Sequence, residues 1–119
     1  MDPFSSWPPV AEVLRARYQR RLPGSLEELA GPVRGHVELP LHVAWSGLRA
    51  YDLGRRRQRM SLYRTVLAEG QRADLVAFLN HDLLLAQWPD LRTLISRHIR
   101  IVWEEAFLEL THGASSAPA

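Results

Sequence analysis

Residues 36–53, "HVELPLHVAWSGLRAYDL", decide the fold class. Val37, Leu39, Leu41, Val43 and Trp45 alternate with His36, Glu38, Pro40, His42 and Ala44. That period of two predicts a strand with one buried face and one wet face. Pro40 falls on the alternate set, and its missing N–H argues for an edge position or a bulge. Ser46-Gly47 can turn the chain, and "LRAYDL" reads as the returning strand of a hairpin over about 36–53. An isolated hairpin is marginal in water, so its apolar face must pack on helices.

Helices are legible on both sides. Upstream, "PPVAEVLRARYQRRL" sets Val10, Val13, Leu14 and Tyr18 at helical spacing, and Pro23-Gly24 stops it. "SLEELAG" follows as a short helix, with Ser25 and Glu28 in the capping-box arrangement and Gly31 as terminator. Downstream, the chain reads as helical from Arg56. Met60, Tyr63, Val66 and Leu67 share one face, Arg57, Ser61 and Arg64 lie opposite, and Gly70 is the cap. "RADLVAFL" is a second helix, and Asn80 caps a third, "HDLLLAQW". Pro89-Asp90 is expected to restart the chain before a last helix that runs to about Leu110. In that helix Arg100 and Glu104 are spaced as an i,i+4 pair. Residues 1–8 read as an irregular segment in which Phe4 and Trp7 can pack down, and residues 111–119 as a small-residue tail. The expectation is one α+β domain over 9–110, a hairpin packed against about five helices, with no internal repeat.

Composition narrows the function classes. The 119 residues suit one domain able to bury roughly two thirds of its unfolded surface without a metal or disulfide staple. Cysteine is absent, which excludes disulfides, thiolate metal sites and cysteine nucleophiles, and fits a reducing compartment. All fifteen basic residues are arginine, yet the formal net charge is only +2, so a pI near 9.7 overstates the basicity. No apolar run reaches the roughly 18 residues of a membrane helix, and "MDPFSSWPPV" lacks the basic and apolar regions of a signal peptide. A soluble, cytoplasmic protein without membrane association is expected.

No catalytic set emerges. The five histidines are dispersed: His36 and His42 fall on the strand's wet face, His81 precedes Asp82 at a helix start, and His98 lies along the last helix. Capping electrostatics explain His81-Asp82, and no metal or cofactor ligand set is assigned. The paired glutamates Glu27-Glu28 and Glu104-Glu105 point about 100° apart on a helix, so neither is an acid/base dyad. Gly-rich phosphate loops and nucleophile elbows are lacking. An enzyme is not expected.

The arginines carry the remaining signal. Arg55, Arg56, Arg57 and Arg59 fall within five positions, with Arg64 one to two turns on. The run reads as a solvated corner, as a dock for an acidic partner, or as a phosphate clamp for nucleic acid. A helix, Gly70 and a short helix from Arg72 make a helix–turn–helix outline. Its second helix, however, offers Asp74 and alanines where base-reading side chains belong. Leu83, Leu84 and Leu85 with Trp88 cover most of a helix's circumference, either as the centre of a small core or as a face for a protein partner.

The segments "LPLHVAWSGLRAYDL", "RMSLYRTVLAEGQRADLVAFLN" and "DLLLAQWPDLRTLISRHIRIVWEEAF" resemble a small actinobacterial family encoded beside nucleotidyltransferase-like toxins of the AbiEii type. The resemblance spans about residues 25 to 110. It implies an antitoxin-like protein with a toxin enzyme as partner, although the winged DNA-binding domain common among such antitoxins is not evident. The reading is therefore a non-enzymatic interaction module using Arg55, Arg56, Arg57, Arg59, Tyr63, Arg64, Leu84 and Trp88. The alternative is a DNA-binding regulator that places the same arginines on phosphates.

Overall fold

In the computed structural model, which describes residues 9–44 and 49–111, the alternating segment pairs as expected but over a shorter length. β1 (His36–Glu38) runs antiparallel to β2 (Ala50–Asp52), with Val37 opposite Tyr51 and both side chains buried. The Leu39 N–H donates to the Arg49 carbonyl at 2.7 Å and the Leu53 N–H to the Gly35 carbonyl at 2.9 Å, which extends the ladder at each end. Pro40 ends the strand rather than riding its edge. Residues 41–43 form a turn in which the Val43 and Ala44 N–H groups donate to the Pro40 carbonyl. A turn of helical type breaks the period of two. Leu39 and Val43 therefore stay buried while Leu41, expected inside, is 61% exposed. His42 likewise leaves the wet strand face it was expected to share with His36. Its Nε2 lies 2.8 Å from Asp74 Oδ2. Expectations for residues 1–8, Trp45, the Ser46-Gly47 turn and the tail beyond Thr111 fall outside the described residues.

The helices are α1 (Val10–Arg21), α2 (Arg56–Glu69), α3 (Arg72–Phe78), α4 (His81–Leu91) and α5 (Arg97–Ala106), with a 3-10 turn at Leu26–Glu28. The fold is α+β. Met60, Tyr63, Val66 and Leu67 of α2 are buried on one stripe, while Arg57, Ser61 and Arg64 face solvent. Asn80 caps α4, its Oδ1 accepting from the Asp82 and Leu83 N–H groups at 3.0 and 3.2 Å. No helix among the described residues is long and apolar enough to cross a membrane.

Two expectations about the C-terminal half are corrected. Pro89 does not restart the chain, because α4 continues through it to Leu91. An interior proline costs about 3 kcal/mol, but burying a leucine and a tryptophan is worth about 1.5–3 kcal/mol or more each. Trp88 and Leu91 are 1% and 0% exposed, so burial wins and the helix persists. The last helix then starts only at Arg97, where the Ser96 hydroxyl accepts from the Ile99 N–H at 3.3 Å. Glu104 also takes a different partner. Arg92 donates to it twice, Nε to Oε2 at 2.7 Å and a terminal nitrogen to Oε1 at 3.2 Å, and the Trp88 indole donates to Oε2 at 2.8 Å. A forked, charge-assisted pair is roughly twice as strong as a neutral hydrogen bond, whereas an exposed i,i+4 pair contributes only about 0.3–0.5 kcal/mol. Arg100 adds only its charge at a distance.

The Arg92 hydrogen bonds hold Glu104 below the usual carboxylate range, with help from Trp88 and against the upward push of burial. A carboxyl whose folded pKa is depressed stabilises the fold above its unfolded value, and loses that contribution as pH falls through the folded one. The Glu104→Gln variant should therefore show a shallower drop in Tm than the parent between about pH 6 and about pH 3. Parallel Tm–pH curves in calorimetry would remove Glu104 from the acid transition.

The segment after the 3-10 turn is docked on the α3–α4 junction. The Ala30 N–H donates to the Val76 carbonyl at 2.9 Å, the Gly31 N–H to the Leu79 carbonyl at 2.8 Å, and Asn80 Nδ2 to the Gly31 carbonyl at 3.2 Å. By contrast α1 packs along α5 without burying a residue of its own. Its Val10 and Val13, expected on an apolar face, are 74% and 50% exposed.

Candidate partner-binding groove

The start of α2 is a tight corner. Asp52 Oδ1 accepts from the Gly54 N–H at 2.9 Å, Gln58 Oε1 accepts from the Asp52 N–H at 2.7 Å, and the Arg55 Nε stands 3.6 Å from Asp52 Oδ2. From there the arginines diverge. Arg59 turns inward, its Nε donating to Gln87 Oε1 at 2.8 Å and a terminal nitrogen to the Leu53 carbonyl at 2.9 Å. Gln87 is itself buried and donates to the Leu83 carbonyl at 3.0 Å. Arg59 thus holds the hairpin, α2 and α4 together. Arg56 is ion-paired with Asp90 near the end of α4.

Arg57 and Arg64 differ. Among the described residues neither has a hydrogen bond or ion pair, and together with Ser61 they form the i, i+4, i+7 row of α2's polar face. That row is one wall of an open groove of about 540 Å³. Met60 lies at its base, and Asp90, Thr93 and Leu94, from the end of α4 and the turn after it, make the other wall. A smaller depression of about 220 Å³ adjoins it, sharing Arg64 and Leu94 and reaching Tyr18 of α1.

Arginines outnumber carboxylates in the groove, where Asp90 is the acidic lining residue and is paired with Arg56. No acidic residue occupies the first turn of α2, where the helix's partial positive charge would favour one. Arg56 and Arg57 sit there instead, adding cations to an end that already attracts anions. An arriving carboxylate or phosphate would meet the helix end and the unpaired Arg57, Arg56 being held by Asp90.

Three residues expected on this surface are instead core. Tyr63 and Leu84 are 0% exposed and Trp88 is 1% exposed. Tyr63 Oη accepts from the Asn80 N–H at 3.0 Å, and burial pushes the phenol up to about 12. Leu83 and Leu85 are only half-buried at the margin of the core, so the leucine run packs inward rather than forming a broad exposed face. The wall residues Asp90, Thr93 and Leu94 were missed because a chain restart at Pro89 would have carried them away from α2. The Arg56/Asp90 charge pair was the available signal.

Comparisons with protein-family models, with curated proteins and with solved structures find no match.

Proposed function

We propose that this chain is a non-enzymatic interaction module whose arginine groove receives an acidic segment of a partner protein, in the manner of an antitoxin masking a nucleotidyltransferase-like toxin. The unequal pairing of the arginines supports the reading. Arg55, Arg56 and Arg59 are engaged within the chain, while Arg57 and Arg64 stand unpaired beside an apolar base. Guanidinium forks match carboxylates in geometry, and they dock best where neighbouring apolar side chains exclude water. Met60 and Leu94 supply those. The resemblance supplies the class of partner, an enzyme whose catalytic face is acidic.

A DNA-binding regulator is the second reading, favoured by the positive end of α2 and the α2–Gly70–α3 outline. Asp74 weighs against it. It is buried at the start of α3, accepting from the Gln71 N–H at 2.8 Å and pairing with His42, so that helix is fastened inward. Its exposed Arg72, Ala73 and Ala77 give base edges little to read.

The Arg57→Glu/Arg64→Glu double variant should weaken binding to the co-expressed toxin-like neighbour by roughly 100-fold. Its Tm should stay within about 1 °C of the parent, since both side chains are exposed surface groups. Calorimetric titration of the complex, first isolated by size-exclusion chromatography with light scattering, measures this. Unchanged affinity would take the groove out of the mechanism. Steeply salt-dependent DNA binding abolished by the same variant would favour the second reading.

A further inference from the structure

Three elements outside the groove converge on the N-terminus of α4. Glu27 comes from the 3-10 turn, His81 is the first residue of α4, and Glu109 follows α5. Glu27 Oε1 lies 3.9 Å and Glu109 Oε2 3.8 Å from His81 Nε2, and the three atoms all fall within 4.8 Å of one another. The backbone fixes this convergence. Ala30 and Gly31 are bonded to the α3–α4 junction, which sets Glu27, and buried Phe107 and Leu110 anchor the segment that carries Glu109.

A second observation points to what the cluster holds. The imidazole as a whole is 29% exposed, but its Nε2 atom is closed off from solvent and has no hydrogen-bond partner. The other ring nitrogen, Nδ1, is 3.0 Å from Asp82 Oδ1. In the tautomer whose Nδ1–H donates to that carboxylate, Nε2 presents a lone pair between the two glutamates. A buried ring nitrogen without a partner is unfavourable unless something fills the space in front of it.

We propose that Glu27, His81 and Glu109 bind one divalent cation of the zinc class, with Asp82 as a positioning residue behind the imidazole. An imidazole nitrogen with two carboxylate oxygens suits Zn²⁺, whereas Mg²⁺ and Ca²⁺ favour all-oxygen shells. Bonds of about 2.0–2.2 Å place tetrahedral ligands roughly 3.3–3.5 Å apart, so completing the set takes a closure of about half an ångström at the imidazole and at most about 1.4 Å between the two carboxylates. The two glutamates can supply it, being 68% and 46% exposed and free to change rotamer. Two carboxylates balance the ion's charge, and a fourth position stays open to water. The ion would fasten the 3-10 turn and the segment after α5 to α4. The site shares no residue with the arginine groove and stands or fails separately from the proposed function.

The competing occupant is a proton on Nε2, and the experiment separates the two. Full-length chain without a histidine tag, stripped with a chelator, is titrated calorimetrically with ZnCl₂ and in parallel with MgCl₂. The expected result is one equivalent of Zn²⁺ bound with Kd on the order of micromolar and no response to Mg²⁺. Tm should rise by about 10 °C at a hundredfold excess over Kd. Glu27→Gln/Glu109→Gln should weaken Zn²⁺ binding by more than about tenfold, and Asp82→Asn by about tenfold. Lack of saturable uptake would overturn the site in favour of the proton. So would uptake unchanged in the double glutamine variant, which would place the ion on other histidines.

Discussion

Replacing Trp88 by alanine should lower the unfolding free energy by about 3–5 kcal/mol, measured by denaturant titration. The indole is almost fully buried at the point where α4 passes through its proline, so truncation leaves a cavity that the surrounding helices cannot collapse into. Truncation also removes a donor from Glu104, whose carboxylate is only 17% exposed and accepts from both Trp88 and Arg92. The Trp88→Phe variant divides the two effects. It keeps most of the volume, so its cost is mainly that of the lost hydrogen bond, about 1.5–3 kcal/mol for a bond to a charged group. A Trp88→Ala variant with near-parental stability would return this residue to the surface role that the leucine-rich stretch suggested.

Gly31→Ala should cost about 3 kcal/mol, at the upper end for overpacking by one methyl. A Cβ built at this position would stand 2.5 Å from the Phe78 carbonyl carbon and 2.6 Å from its oxygen, and both are backbone atoms that cannot rotate away. The intended clash would pull the segment off α3 and break its bonds to Val76, Leu79 and Asn80. Gly35→Ala is the control. That position has φ 91° but nothing within 4 Å of a Cβ, so only the left-handed conformation is penalised, by about 1 kcal/mol. Equal losses at the two positions would mean that conformation rather than close approach governs Gly31.

The contrast between what sequence revealed and what it hid follows the range of each interaction. The apolar stripe of α2 and the Asn80 cap are written in neighbours a few residues apart and formed where local pattern placed them, and the β1–β2 pairing formed over a shorter length than the alternation suggested. Leu41 broke the pattern because Pro40 starts a turn, a local effect outweighed in the reading by the alternation around it. Pro89 and Glu104 were misread for the opposite reason. The burial of Leu91 in the common core and the reach of Arg92 to Glu104 depend on tertiary contacts that no window of residues displays. The arginine run was visible, but its division into engaged and unengaged members depends on Gln87 and Asp90, some thirty residues downstream. Glu27, His81 and Glu109 were each visible and unremarkable singly, since only the docking of the Gly31 segment and the anchoring of Leu110 bring them together.

α1 holds its shape largely by local means, with Glu12 in the first turn and Arg20 and Arg21 in the last complementing the helix dipole. None of its residues is buried, and its tertiary ties are its packing along α5, Tyr18 against the margin of the core and an Arg21 hydrogen bond to the Ala68 carbonyl at 3.4 Å. Such a helix belongs to the low end of the ladder of local opening free energies, and its amide protons trade with solvent long before those of α2. Yet Tyr18 of α1 lines the depression beside Arg64, so a ligand bridging the two would slow exchange along a helix it touches at only one residue.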